Sequence, residues 1–475
     1  MRRFAALLVL FAATAAANPV SQPSKLSPEW QAKTRAMFET AIEIPTVAGR
    51  GQMDEMAEYL AAQLRAGGIP AEDIKIMPHE GVPGDQTVSL IARWRADKPT
   101  KKPIILLAHM DVVEAKRSDW KQDPFEFIEK DGYFYGRGTS DDKQGVVATT
   151  AALLKLKSQG FKPSRDIILF FTGDEETAMN GARLGATEWL KDLGAEYALN
   201  ADAGGGAYTA DGKPLGFGLQ TAEKIFQSYH FTVRNRGGHS SRPRPDNAIY
   251  DLAAALKKLE SHRFQPMLNE TTRAYFTERA KQEGDSALGK AMRAWLANPD
   301  DGAAADAVEA SPLEVGTTRT RCVATMLEAG HAENALPQLA QATVNCRIMP
   351  GLDPKTVEAE LERIAGPGVD VTPFPNQGRL SPVSPLRADV VNAYSRAVQA
   401  LHGKGMQVIP QMSTGATDGS WFRANGVPVY GVEGSWGISP DDERAHGLDE
   451  RLPVRAMYDD VVHWEMILTD LAGGR

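Results

Sequence analysis

Hydrophobic and polar positions along the chain alternate between two patterns. Val88 to Trp94, Ile104 to Ala108 and Ile167 to Thr172 are unbroken apolar runs. They predict buried strands, because a strand covered on both faces loses its polar alternation. Met53 to Arg65 keeps Met53, Met56, Leu60 and Leu64 on one stripe, which predicts an amphipathic helix ended by Gly67-Gly68. Val146 to Leu156 is helix-like, and Tyr197 to Leu199 continues the strand series. Strands alternating with helices predict an α/β sheet covered on both faces.

The middle of the chain changes character. Phe226 to Val233 predicts a strand, and Asp246 to Leu259 a helix capped at Pro245-Asp246. Residues 265–310 are polar and Ala-rich, which predicts helices joined by loops. Thr320 to Leu327 and Ala342 to Ile348 read as further strands, and Pro350-Gly351 closes the region. The α/β pattern then resumes, with helices at Asp353 to Ile364, Ser384 to Leu401 and Val454 to Leu471 and a strand at Val427 to Val432. These patterns place a smaller domain, residues 219–350, inside a larger one formed by 18–218 and 351–475. The chain shows no internal repeat and no long low-complexity linker.

A length of 475 residues agrees with two domains. A hydrophobic content of 42% beside 24% charged residues is that of an ordinary soluble protein. The net charge of -8, with no Lys/Arg stripe interleaved with aromatics, speaks against nucleic-acid binding. The N-terminus departs from this picture. Arg2 and Arg3 precede the apolar run Phe4 to Ala13 and the small residues Ala15-Ala16-Ala17. That is the layout of a secretory signal, too short for a stable membrane span. Cleavage after Ala17 and export to the periplasm or medium are expected, with an uncleaved anchor as the alternative. Cys322 and Cys346 both lie in β-like segments of the inserted region. In an oxidising compartment they are candidates for pairing, but spacing alone leaves the distance open.

The candidate chemistry sits at the ends of the apolar runs. His109, Asp141, Glu176, Asp202 and His446, with Glu175 beside Glu176, make two imidazoles and four carboxylates. This is the inventory a metal hydrolase needs: neutral nitrogens and anionic oxygens as ligands, and one further carboxylate to move protons. His109 and Asp111 are two residues apart, so an extended chain turns them to one side and Asp111 is placed to orient the imidazole. Gly136-Arg137-Gly138-Thr139-Ser140-Asp141-Asp142-Lys143 is a tight Gly-rich turn before a helix. Asp141 suits a bridging ligand there, and Asp142 suits an ordinary N-cap. Glu175 and Glu176 follow a buried strand, and adjacent carboxylates there need a cation nearby. Asp202 is read as ending the next strand before Gly204-Gly205-Gly206. In the inserted region His239 has two readings, an ordinary turn histidine or a donor to an oxyanion across a cleft. Arg347, near Asn334, reads as a carboxylate clamp or a surface ion pair.

Together these motifs resemble the M20 co-catalytic zinc metallopeptidases. The resemblance rests on Leu106-Leu107-Ala108-His109-Met110-Asp111-Val112-Val113, on Gly136 to Lys143, on Gly173-Asp174-Glu175-Glu176, on Gly238-His239-Ser240 and on His446-Gly447-Leu448-Asp449-Glu450. It runs from about Trp30 to the C-terminal helix. The form of the Gly136 turn, with Trp120 and Asp123-Pro124-Phe125 before it, is similar to the carboxypeptidase S, dipeptidase and N-acyl-amino-acid hydrolase branches. The resemblance implies a phosphorylase/hydrolase-like mixed-sheet catalytic domain with an inserted α+β lid or dimerisation domain. It implies two Zn²⁺, with Mn²⁺ or Co²⁺ as substitutes. His109 and Asp202 would bind one ion, Glu176 and His446 the other, and Asp141 would bridge them through a cis peptide to Asp142. Asp111 would orient His109, Glu175 would be the general base, and His239 would polarise the scissile carbonyl, often from the partner subunit of a homodimer. Asn334 and Arg347 would bind the substrate carboxylate. The function expected is exopeptidase cleavage of small peptides, of dipeptidase or carboxypeptidase type. Deacylation of N-acyl amino acids on the same site is the alternative, and a catalytically silent binding relative is a third reading.

Overall fold

The computed structural model describes residues 19–375 and 377–474, so the expected signal segment, 1–17, lies outside the described residues. No described helix is long and apolar enough to cross a membrane.

The apolar runs form strands buried on both faces. In Ile104–His109, Ile104, Leu106 and Ala108 face one core while Ile105 and Leu107 face another. Ile167–Thr172 divides the same way, with Ile168 and Phe170 on the second side. A two-residue period with both faces covered requires an apolar residue at every position. These strands lie inside a mixed eight-stranded sheet. Its order is Ile74–Glu80, Gln86–Trp94, Ile167–Thr172, Ile104–His109, Tyr197–Tyr208, Val429–Ile438, Pro214–Glu223 and Val408–Ser413. Helices Pro28–Glu43, Met53–Ala66, Lys143–Ser158, Ala388–His402 and Val454–Ala472 contribute to the larger core. The short helices Asn180–Leu184 and Gly419–Ala424 lie near the second, smaller core, which Phe422 joins.

Ile104–His109, Ile167–Thr172 and Tyr197–Tyr208 run parallel, with His109 opposite Thr172 and Leu107 opposite Asn200. Their C-terminal halves therefore meet at one edge, where open α/β sheets place ligands. One expectation is corrected here. Asp202 does not end its strand, which continues through Gly204-Gly205-Gly206 to Tyr208. Gly204 and Gly205 adopt φ of 110° and 73°, and the register against Val429–Ile438 shifts at Gly431/Glu433 and Glu433/Trp436. The glycines make a bulge instead of a turn, and the strand resumes beyond it.

The inserted unit is a four-stranded antiparallel sheet, in the order Arg321–Ala329, Leu339–Ile348, Ile225–Arg234, Asp370–Pro373. Helices Ala248–Ser261 and Pro354–Ala365 pack with it around Tyr229, Phe231, Leu252, Val344 and Leu361. The expected limits of 219 and 350 both move. Pro214–Glu223 is still a strand of the large sheet, so the chain crosses at Lys224. The small sheet keeps the chain until Pro373, because Val357, Leu361 and Ile364 bury their stripe in its core. The helix at 248 is capped by Asn247, whose side chain accepts from the Ile249 amide, not by Pro245-Asp246. Cys322 and Cys346 stand directly opposite each other on neighbouring strands and form a disulfide.

Residues 265–310 form helices Glu270–Glu283, Ala287–Ala297 and Gly302–Glu309 around their own core of Phe276, Met292, Trp295 and Val308. The first of them packs on the edge strand Val408–Ser413 of the large sheet. The Thr271 hydroxyl also bonds that of Thr221, on the next strand in, at 2.6 Å. This segment therefore covers an edge that would otherwise offer unpaired backbone groups.

Candidate metal centre and substrate cleft

The parallel strand ends bring the predicted ligands together. Asp141 Oδ1 lies 3.0 Å from His109 Nε2, and its Oδ2 lies 3.1 Å from His446 Nε2. Asp202 Oδ1 is 3.6 Å from His109 Nε2, and Glu176 Oε1 is 3.0 Å from His446 Nε2. Asp141 thus stands between a His109–Asp202 side and a His446–Glu176 side. The peptide between Asp141 and Asp142 is cis.

Three supports hold this arrangement. The Asp111 carboxylate accepts from the Glu175 and Glu176 amides at 3.1 and 3.0 Å. His109 Nδ1 donates mainly to the Asp111 backbone carbonyl at 3.0 Å, with the carboxylate farther off at 3.5 Å. The expected contact from the Asp111 carboxylate to the imidazole is thus made mostly by its main chain, while its side chain sets the two glutamates. Asp142 occupies the N-cap position of its helix without capping it. Its Oδ2 instead accepts from the His109 amide at 3.1 Å. This corrects its reading as an ordinary cap. The third support, Glu450, is buried, and its carboxylate gathers the Gly-rich turn. It accepts from Arg137 Nη1 at 2.6 Å, from the Gly138, Ser140 and Asp141 amides at 3.1, 2.7 and 3.2 Å, and from the Ser140 hydroxyl at 3.0 Å. Asp174 plays a similar part beyond the glutamates, accepting from the Asn180 and Gly181 amides and pairing with the buried His79 at 3.3 Å. Sequence reading assigned neither Glu450 nor Asp174 a role, although each lies inside a motif it singled out.

The electrostatics call for a cation. Burial and the neighbouring carboxylates raise Asp202 to about 6, against His109, which lowers it. Burial likewise pushes Glu175 well above the carboxylate range. On His109 burial opposes the charge, but Asp202, Asp111 and Asp141 outweigh it and raise its pKa. Hydrogen bonds donated to the Asp141 and Glu176 carboxylates raise His446 to about 10. Two imidazoles cannot neutralise this many converging carboxylates. His109, Asp141 and Glu176 offer donor atoms within 4.8 Å of one another, as do His109, Asp142 and Asp202. A mixed nitrogen and oxygen set at this spacing fits Zn²⁺-like ions.

A cleft of about 490 Å³ opens above the donors and is lined by Asp141, Glu175, Glu176, Asp202 and His446 on one side and Arg347 on the other. Arg347 lies over the Phe226 ring, and burial lowers its pKa. His239 and Asn334 do not line this cleft. They sit together on the inserted unit, where the Ser240 amide bonds the Asn334 carbonyl and His239 is exposed. His239 Nδ1 accepts from the Ser241 amide at 3.1 Å, so the neutral ring carries its proton on Nε2 as a donor.

Comparison with known proteins gives a concordant result. The model of peptidase family M20/M25/M40 matches residues 105–470. The human N-fatty-acyl-amino acid synthase/hydrolase PM20D1 is 29% identical over 459 residues, covering 91% of this chain and 87% of the relative. A probable carboxypeptidase S-like protein of Dictyostelium discoideum is 29% identical over 380 residues, covering 77% and 71%. Among solved structures, an M20 family metallo-carboxypeptidase from Sulfolobus solfataricus matches with a TM-score of 0.67 at 19% identity, over 92% of this chain and 98% of that one.

Proposed function

This chain belongs to peptidase family M20/M25/M40 and is a metal-dependent hydrolase of peptide or amide bonds, and from that premise we propose that it is an exported exopeptidase of dipeptidase or carboxypeptidase type, cleaving the amide bond of small substrates that carry a free carboxylate. The observation that carries this is the cleft itself, with converged imidazoles and carboxylates on one wall and Arg347 on the other. A pair of divalent ions, Zn²⁺ in our reading, would acidify a water and polarise the substrate carbonyl when bound. His109, Asp202, Glu176 and His446 would hold them, with Asp141 between.

The chain's own residues do the rest. Glu175 is not among the closest donors, yet it lines the cleft beside them. A buried carboxylate whose pKa is raised is a stronger base than an exposed one. Glu175 takes the proton from the attacking water and passes it to the leaving nitrogen. Arg347 holds the substrate carboxylate with its planar fork. The His239 Nε2–H donates to the carbonyl oxygen as charge develops. Because His239 and Asn334 lie outside the cleft of their own chain, we assign that donor to the partner subunit of a homodimer. The edge strand Arg321–Ala329 exposes Val323, Met326 and Leu327, a surface suited to cover by a second copy.

A second reading, removal of the acyl group from an N-acyl amino acid, is favoured by the activity for which the human relative is named. Both readings are tested with the metal-loaded mature protein on a mass-spectrometry panel of dipeptides and N-acyl amino acids. Each substrate is offered with its carboxylate free and amidated, beside a chelator control. Chelator-sensitive cleavage of free-carboxylate substrates alone is expected, and the preferred N-terminal group decides between peptidase and deacylase. Cleavage that needs a free amine and ignores the carboxylate would remove Arg347 from the site.

A further inference from the structure

The cleft holds a second arginine that this reaction does not use. Arg379 lines it, with its guanidinium over the Trp421 ring. Among the described residues no carboxylate forms a hydrogen bond or ion pair with it. The two carboxylates that influence it are Glu223 and Asp418. Glu223 is engaged by Arg423 at 2.6 Å and by Thr417, and Asp418 bonds the Thr172 hydroxyl. Arg183 adds further positive charge nearby. Burial without a counter-ion lowers the Arg379 pKa, the mark of a cation short of an anion.

Two residues on, Ser381 also lines the cleft, is 1% exposed and leaves its hydroxyl without a partner among the described residues. A buried hydroxyl without a partner is costly, and a ligand oxygen would relieve it. The backbone fixes where this pair sits. The Gly378 amide donates to the Phe226 carbonyl at 3.0 Å, while Arg347 lies over the Phe226 ring and opposite Phe226 in register. The segments that carry the two arginines thus meet at Phe226, and both side chains line one cleft. Two arginines in one cleft suit a substrate that carries two carboxylates.

We propose that Arg379 and the Ser381 hydroxyl form a second anion subsite, and that the enzyme prefers substrates whose carboxylate-bearing residue is aspartate or glutamate. The proposal rests on the reading that Arg347 holds the main-chain carboxylate. The Arg379 fork binds the side-chain carboxylate and Ser381 donates to it.

The test compares N-acetyl-glutamate with its neutral isostere N-acetyl-glutamine on the metal-loaded full-length mature protein. The ratio of their kcat/KM values is expected to favour glutamate by about thirty-fold or more, since a site built for a charged group rejects its neutral analogue strongly. In Arg379→Gln that ratio falls towards one, Arg379→Lys restores part of it, and Ser381→Ala lowers it by a few-fold. A wild-type ratio near one, or a ratio that survives Arg379→Gln, overturns the proposal. Calorimetric binding of free glutamate against glutamine reads the subsite without turnover. Preferential glutamate binding lost in Arg379→Gln, with neither amide cleaved, would sink the proposed reaction and leave the subsite standing. Equal binding of the two would sink the subsite.

Discussion

Replacing Glu450 by glutamine tests whether the metal donors are organised from behind. The change keeps the shape and removes one charge. Arg137 and Glu450 side chains are 3% and 0% exposed, so their ion pair lies beyond the reach of water. Breaking such a pair from one side costs about 3–5 kcal/mol, because it strands the other charge. Both Glu450 oxygens accept hydrogen bonds, Oε2 from Arg137 and Gly138 and Oε1 from Ser140 and Asp141. Whichever side the new amide nitrogen takes, it faces N–H groups and loses a further bond, about 1 kcal/mol. Arg137 keeps the Gly447 carbonyl at 3.0 Å and its place over Trp120, which favours the lower end of a total of about 4–6 kcal/mol. Glu450 accepts the Asp141 amide itself, so metal affinity should fall with stability, by about 10–100-fold. Denaturant unfolding of the metal-free protein reads the first quantity, and competition with a chromophoric chelator reads the second. Adding Arg137→Met should recover part of the stability, because the stranded charge is gone. Glu450→Gln that unfolds at the wild-type midpoint and binds metal within two-fold of wild type would refute this account.

The remaining predictions separate roles inside the site and behind it. Glu175→Gln should keep full metal content by plasma emission while turnover falls by about 10²–10⁴-fold, as removal of a general base requires; near-normal turnover would dismiss that role. Glu176→Ala should lose metal together with activity, and full metal content would show that it is no ligand. His463 is buried, with Nε2 donating to the Val432 carbonyl at 2.9 Å, and burial lowers its pKa to about 3 from an ordinary 6.5. The unfolded chain therefore binds one more proton than the fold between those values. Stability present above pH 6.5 is lost as pH falls across that window, by about 1.4 kcal/mol per pH unit from this group. His463→Gln should shallow that slope by about one proton, whatever it does at pH 7, and an unchanged slope would count against the assignment.

What could be read from the sequence was whatever depends on short-range periodicity. Ile104 to Ala108 and Ile167 to Thr172 are strands because every position is buried, and an unbroken apolar run records that directly. Parallel pairing then carries His109 and the Glu175-Glu176 turn to one edge, so the candidate ligands were legible as residues that follow apolar runs. Pro214–Glu223 escaped because Gly216 and Gly218 interrupt its apolar pattern, while the strand Val408–Ser413 that it pairs along most of its length lies far away in the chain. The helix Pro354–Ala365 was legible as a helix but not by its owner. An apolar stripe of Val357, Leu361 and Ile364 fits either sheet, and only contact with Leu252 and Leu259 assigns it to the small one.

The same distinction explains which parts of the site were misjudged. Residue type and spacing indicate which side chain can bind a metal, but a support is defined by the atom it bonds. Asp111 stands two residues from His109, and that spacing alone suggests a carboxylate–imidazole contact. In the fold its main-chain carbonyl takes the imidazole proton and its carboxylate is spent on the Glu175 and Glu176 amides. Asp111 thereby links the ring of one candidate ligand to the backbone of another and of the expected base, through a single residue. Asp141 is fixed in the same manner by Glu450, whose own loop delivers His446 four residues earlier. The donors are thus held by residues that also carry or neighbour other donors. A substitution at one support should disturb ligands on both sides of Asp141 together, and this is why Glu450, which offers no atom to a metal, should affect metal affinity at all.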